Sequence, residues 1–97
     1  MNLIDYIPAG RERAISAKLL ANMAGYKTVR DLQSEIHRLR VKGNIICSVT
    51  EEPAGYFMPI CKAEVEHFYR SMQSRAAKIH KAIKSAEQLI NNFDSRG

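Results

Sequence analysis

SAKLLANMAGYKTVRDLQSEIHRLRVKGNIICSVTEEPAGYF, residues 16–57, carries in one uninterrupted run the punctuation of two short helices followed by a hairpin. Ser16 can accept a hydrogen bond from the free amides that open a helix, and Leu19, Leu20 and Met23 then share one face. Gly25 tolerates the left-handed conformation that ends a helix. Tyr26 and Lys27 fill the turn, and Thr28 caps a second helix in which Val29, Leu32, Ile36 and Leu39 recur at spacings of three and four. Gly43 closes it. Ile45, Ile46 and Cys47 form a short apolar run, and Tyr56, Phe57 and Met58 form another. They are separated by Val49 to Gly55, a polar loop with Glu51, Glu52 and Pro53 in the middle, as expected of a hairpin. Helix, turn, helix and hairpin in this order read as a mainly α (α+β) fold, a winged helix-turn-helix.

The second helix, residues 28–42, is the candidate for reading nucleic acid. With Val29, Leu32, Ile36 and Leu39 inward, Lys27, Arg30, Asp31, Ser34, His37 and Arg38 turn outward. Arg and Lys reach guanine edges or phosphates, Ser serves either, and helix N-terminal amides favour a phosphate. The candidate DNA-binding residues are therefore Lys27, Thr28, Arg30, Ser34, His37 and Arg38. The plain alternative is a solvated helix face, which is the norm for soluble helices.

The segments AISAKLLANMAGY, TVRDLQSEIHRLRVKGNIICS and GYF resemble the winged-helix domains of small bacteriophage and prophage proteins, and more distantly the DNA-binding domain of the biotin operon repressor. The resemblance covers about half of the chain, and its motifs are structural rather than catalytic. It implies that AIS forms a short strand, so that Ile15 pairs beside the hairpin. It further implies that the first helix of the domain completes a three-helix core. The sequence departs from phosphate-contacting wings in carrying Glu51, Glu52 and Pro53 near the tip where those wings carry basic groups, which argues against insertion into a minor groove.

The second informative region is residues 62–92, which contain neither Gly nor Pro and predict one long helix. Val65, Tyr69, Met72, Ala76, Ile79, Ile83, Ala86, Ile90 and Phe93 recur at alternating intervals of four and three, the heptad pattern of a left-handed coiled coil. Arg75 and Glu87 flank the seam. A helix of about 30 residues spans roughly 45 Å, more than a domain of this size covers, so the sequence predicts a homodimer joined through this seam. The alternative is that the helix folds back on its own domain through Phe68. Arg70, Lys78, Lys81 and Lys84 lie off the seam as a basic stripe. The expected organisation is thus a winged helix-turn-helix domain over 1–61, a dimerisation coiled coil over 62–93 and a disordered tail over 94–97.

Near the N-terminus, Leu3, Ile4, Tyr6 and Ile7 suffice for one short helix whose side chains meet Leu20, Ile36 and Leu39, broken by Pro8, Ala9 and Gly10. At 97 residues and 45% hydrophobic content the core is modest. The net charge of +5 suits an anionic partner. It is spread along the chain: residues 1–61 hold eight Lys or Arg against six acids, and residues 62–97 hold seven against four. No stretch approaches the ~20 apolar residues of a membrane span and no signal-peptide pattern opens the chain, so a cytoplasmic protein with free thiols is expected. Cys47 and Cys61 read as buried small hydrophobes.

His37, His67, His80 and the two cysteines match no metal-ligand spacing, and no cofactor-binding loop, nucleophile elbow or paired desolvated carboxylates are present. The sequence therefore argues against an enzyme, a metal and a cofactor. Two functions remain: sequence-specific binding of double-stranded DNA by a dimer, as a phage or prophage transcriptional regulator or replication accessory, and a protein-interaction module that holds a phage or host partner.

Overall fold

The computed structural model describes residues 2–96. It is mainly helical, with helices α1 (Ala17–Ala24), α2 (Val29–Val41) and α3 (Lys62–Arg96) and one antiparallel pair of strands, β1 (Cys47–Val49) and β2 (Gly55–Phe57). Two single 3-10 turns, Leu3–Tyr6 and Arg11–Arg13, precede α1. The short N-terminal helix expected from the sequence is thus a 3-10 turn, and it packs on α1.

Local chemistry sets the boundaries of α1 and α2. The Ser16 hydroxyl oxygen accepts from the Leu19 amide at 3.2 Å and opens α1. Gly25, at φ 83°, ends it, while the Tyr26 amide donates back to the Ala21 carbonyl at 2.9 Å. Thr28 Oγ1 accepts from the Asp31 amide at 3.1 Å and opens α2. That helix finishes in the same way, with the Gly43 amide on the Arg40 carbonyl at 3.0 Å and the Asn44 amide on the Leu39 carbonyl at 3.0 Å. The four capping residues named from the sequence each do the expected job.

One core joins these pieces. Leu3 and Ile7 from the N-terminal segment meet Leu20 and Ala21 of α1, Leu32, Ile36 and Leu39 of α2, and Ile46 before β1 in a single buried cluster. Val29, assigned inward, is half-buried at the edge. On α1 the expected face needs correction. Leu20 is buried, but Leu19 and Met23 are about half exposed, and Ala21 takes their place. The helix turns its Ala17, Leu20, Ala21 and Ala24 flank to the core because small residues let it approach α2 and the N-terminal segment closely.

The hairpin register is Cys47 with Phe57, Ser48 with Tyr56 and Val49 with Gly55, so β1 starts two residues later than the apolar run 45–47 suggested. Ile46 precedes the ladder, its side chain in the core and its carbonyl taken by the Arg40 guanidinium, and Ile45 before it is exposed. The Ile15 segment adds to the pair as expected: its amide donates to the Tyr56 carbonyl at 2.9 Å and its carbonyl accepts from the Tyr56 amide at 2.8 Å. Beside it, Ala9 bridges Met58 in the parallel sense, through the Gly10 amide on the Met58 carbonyl and the Met58 amide on the Pro8 carbonyl, both at 2.8 Å. Gly55 has φ 131°, and a Cβ there would stand 1.8 Å from the Ile15 carbonyl oxygen. The Ile15 bridge therefore requires glycine at this position.

Helix α3 begins against β1. Phe68, Ser71 and Met72 are half-buried, and residues 73–94 are all exposed. The helix continues to Arg96, so the tail expected to be disordered from residue 94 is helical as far as it is described, and Gly97 lies outside the described residues. Cys47 is buried as expected, whereas Cys61 is exposed, because it stands in the bend before α3 where no second layer covers it. No helix among the described residues is long and apolar enough to cross a membrane.

Candidate nucleic-acid interface

Burial of Leu32, Ile36 and Leu39 commits one side of α2 to the core and leaves the other side free. Lys27, Thr28, Arg30, Asp31, Ser34, His37 and Arg38 are all exposed. Arg30 and Arg38 are two turns or so apart, roughly 12 Å along the helix axis, with Ser34 between them. The face therefore carries cationic reach at both ends and a short polar group at its centre, the pattern that groove reading requires.

Two acids temper that charge. Arg38 is tied to Glu35, its Nε donating to both carboxylate oxygens at 2.9 and 3.1 Å and its Nη2 to Oε1. The pair lies on the surface, and the guanidinium holds the Glu35 carboxyl below its ordinary value while the carboxylate raises that of Arg38. An incoming phosphate or base edge must compete with Glu35 for Arg38. Asp31 stands in the first turn of α2, where its charge offsets some of the attraction of the free amides for an anion. Arg30 and Lys27 are the cations of this face with no carboxylate in hydrogen-bonding range among the described residues.

The hairpin tip is fixed by a residue that sequence reading passed over. The Arg11 guanidinium donates from Nη1 to the Pro53 carbonyl at 2.7 Å and from Nη2 to the Glu51 carbonyl at 2.8 Å. The Arg11 amide is in turn held by Glu64 Oε2 at 3.1 Å, whose other oxygen accepts from the Ile60 amide at 3.0 Å. One carboxylate at the start of α3 thus links α3, the Arg11 turn and, through it, the hairpin loop. Glu51 and Glu52 remain exposed at the tip, so the tip presents acid to its surroundings.

Arg40 is the second residue the sequence did not single out. It lies on α2 only 40° round from Ile36 at ~100° per residue, at the margin of the buried face. Its Nε and Nη2 donate to the Ile46 carbonyl at 2.9 and 2.6 Å, Nη2 reaches Ser48 Oγ at 3.3 Å, and its guanidinium carbon stands 5.4 Å from the centre of the Phe68 ring. This single side chain joins α2, β1 and α3 and so sets the direction in which α3 leaves the domain. Cys47 lies nearby, its thiol directed at the Glu64 carbonyl at 3.9 Å. Burial, with the Glu64 charge adding, pushes that thiol up to about 11, so it stays protonated at neutral pH.

On α3 the heptad positions divide by location. Met72 is half-buried against the domain, while Val65, Tyr69, Ala76, Ile79, Ile83, Ala86, Ile90 and Phe93 are exposed in the single chain. Arg70, Lys78, Lys81 and Lys84 are exposed on the other side of the helix. Among the described residues no group of three or more His, Cys, Asp or Glu side chains is placed to hold a metal ion. No family model matches the chain, and no curated protein or solved structure is significantly similar to it.

Proposed function

We propose that the chain is a winged helix-turn-helix protein that binds double-stranded DNA sequence-specifically as a homodimer, in the manner of a cytoplasmic phage or prophage transcriptional regulator or replication accessory. The observation that carries this reading is the two-sidedness of α2: Leu32, Ile36 and Leu39 seal the core while Lys27, Arg30, Ser34, His37 and Arg38 stand free on the opposite flank. The helix-turn-helix geometry, with Gly25 ending α1 and Thr28 capping α2, presents that flank, and the Ile15 bridge beside the hairpin matches the strand arrangement that the sequence resemblance implies. The exposed seam on α3 supports the dimer, since a two-fold pair offers two reading helices to two half-sites.

Selection of duplexes from a random pool by the full chain tests the reading. Enrichment of an inverted repeat is the expected result, with affinity falling steeply as salt rises because each phosphate contact contributes a slope of about 0.9 in log K against log salt. A pool with no enrichment after repeated rounds would count against it.

A second reading is favoured by one feature. The hairpin tip carries Glu51 and Glu52, and the nearby Arg11 guanidinium is engaged by backbone carbonyls. An acidic tip above an open groove lined by Tyr56, Phe57, His67, Phe68 and Arg75 suits a protein partner from phage or host. Complex formation that is insensitive to salt and independent of duplex sequence would favour that module over the DNA binder.

A further inference from the structure

We infer that the seam of α3 closes on a second copy of this chain running antiparallel, in a register centred on Lys81. The inference rests on the dimeric reading above and adds direction and register to it. From Tyr69 onward the seam reads Tyr69, Met72, Ala76, Ile79, Ile83, Ala86, Ile90, Phe93. From either end inward this is an aromatic residue, a long aliphatic one, an alanine and an isoleucine. Positions equidistant from Lys81 are therefore matched in size. Tyr69 meets the partner's Phe93, Met72 the partner's Ile90, Ala76 the partner's Ala86, and Ile79 the partner's Ile83.

That symmetry discriminates between the two directions. A parallel homodimer sets every residue against itself whatever the sequence, and so makes no demand on the order of side chains along the seam. An antiparallel one needs a seam that reads alike in both directions, because each layer combines an a position with a d position. The d positions here, Met72, Ile79, Ala86 and Phe93, include no leucine, the residue that parallel dimers favour there, and no buried polar residue fixes a parallel register.

The flanks do not decide the direction. In a parallel pair Arg75 would lie beside the partner's His80 and Leu89 beside the partner's Asp94. In the antiparallel pair Gln73 faces the partner's Glu87, the aliphatic stem of Arg75 lies along the partner's Leu89, and Glu66 meets the partner's Asp94 at the end of the matched stretch. Neither direction brings opposite charges together, and the size matching along the seam carries the inference. Opposed helix dipoles add a small favourable contribution.

The surface is open and large enough. Tyr69, Ile79, Ile90 and Phe93 are 61%, 61%, 58% and 66% exposed and Ile83 is 50% exposed. The aromatic and isoleucine side chains of two such chains together offer on the order of 1,000 Å² of apolar surface, about the lower bound for a specific interface. Tyr69 is exposed, and Met72, half-buried, has only its remaining surface to offer the partner's Ile90. Val65 lies beyond the matched stretch. The arrangement sets the two N-terminal ends of α3 at opposite ends of the rod, roughly 57 Å apart along its axis.

Disulfide trapping in the full chain tests this. Cys61→Ser removes the exposed native thiol, and Ala76→Cys and Ala86→Cys are introduced singly on that background, both at exposed positions of α3. Each variant should keep the helicity of the parent by circular dichroism. On oxidation, an equal mixture of the two variants, unfolded and refolded together, should give linked dimers, while neither variant alone should. In the proposed register two copies of residue 76 lie about 15 Å apart along the axis, beyond disulfide reach. Linked dimers from Ala76→Cys alone would overturn the antiparallel direction. A dimeric light-scattering mass without linkage in the mixture would overturn the register. A monomeric mass for the unaltered chain would instead overturn the dimeric reading itself, and this inference with it.

Discussion

The globular part of the chain and the distal part of α3 treat apolar surface in opposite ways. Up to residue 61, Leu20, Leu32, Ile36 and Ile46 are fully buried within one chain, and small residues and backbone bridges close the gaps around them. Beyond Met72, Ile79, Ile83, Ile90 and Phe93 keep half or more of their surface exposed. Hydrophobic burial is the dominant favourable term in folding, so the first region is held by the apolar surface it encloses, with the start of α3 packed against it, and the second is a helix whose apolar side stays open in the single chain. One residue type, isoleucine, is thus enclosed by the fold at positions 36 and 46 and left on the surface at 79, 83 and 90.

The sharpest way to break the comparison is Ile79→Asp with Ile83→Asp. If the distal helix is an interface, four isoleucines leave it per dimer, at about 1.5 kcal/mol or more each, some 6 kcal/mol in all or about four powers of ten in dissociation constant. Sedimentation should show a monomer with native helix content. A variant that stays dimeric would place the interface elsewhere.

Ile36→Ala probes the other region. It is 1% exposed in the core, so the substitution should cost about 2–5 kcal/mol of unfolding free energy and lower the melting temperature by many degrees. Ile90→Ala, an identical chemical change, should leave the stability of the globular part unaltered. Equal losses at the two sites would erase the distinction between them.

Arg40→Met tests how the two regions are joined. Loss of the guanidinium leaves the Ile46 carbonyl without this donor, a cost of about 1–3 kcal/mol. It should also loosen the start of α3, seen as faster hydrogen exchange over Phe68 to Met72. Protection as high as in the parent would show that Phe68 packing alone orients the helix.

The smallest effect concerns the thiols. Cys61, exposed, should react readily with a thiol reagent at neutral pH, and Cys47 should react slowly. The Cys47 value of about 11 lies above the ordinary 9.0, so the folded state favours the protonated form. Its contribution to stability is complete below pH 9.0 and is lost as pH rises toward about 11. A Cys47→Ala variant should show a flatter alkaline limb in a stability profile.

What could be read in advance was what is local. Ser16, Gly25, Thr28 and Gly43 act through neighbours a few residues away, so their side chains and conformational freedom announce the helix ends directly. The wheel of α2 was equally legible because its apolar residues are large and evenly spaced. On α1 the wheel points to the wrong flank. With three alanines on the buried flank, Leu19 and Met23 outweigh them in hydrophobicity although the close approach of the backbone favours the small residues. The Ala9 bridge to Met58, the Arg11 grip on the hairpin loop and the Arg40 junction link residues far apart in sequence. Nothing periodic marks such contacts. Of the candidate interface, exposure followed from the wheel, whereas the Glu35 partnership of Arg38 depends on rotamers and was not foreseen, although the spacing of three permits it.

The most direct test of the DNA-binding account is the affinity of an Arg30→Ala, Arg38→Ala variant for a duplex selected by the parent chain, measured beside its melting temperature. Both side chains are exposed, so the melting temperature should change little, while binding should weaken by at least ~2 kcal/mol, about thirtyfold, at ~1–3 kcal/mol per lost specific contact. Unchanged affinity in a folded variant would contradict the assignment of the outer face of α2 to DNA.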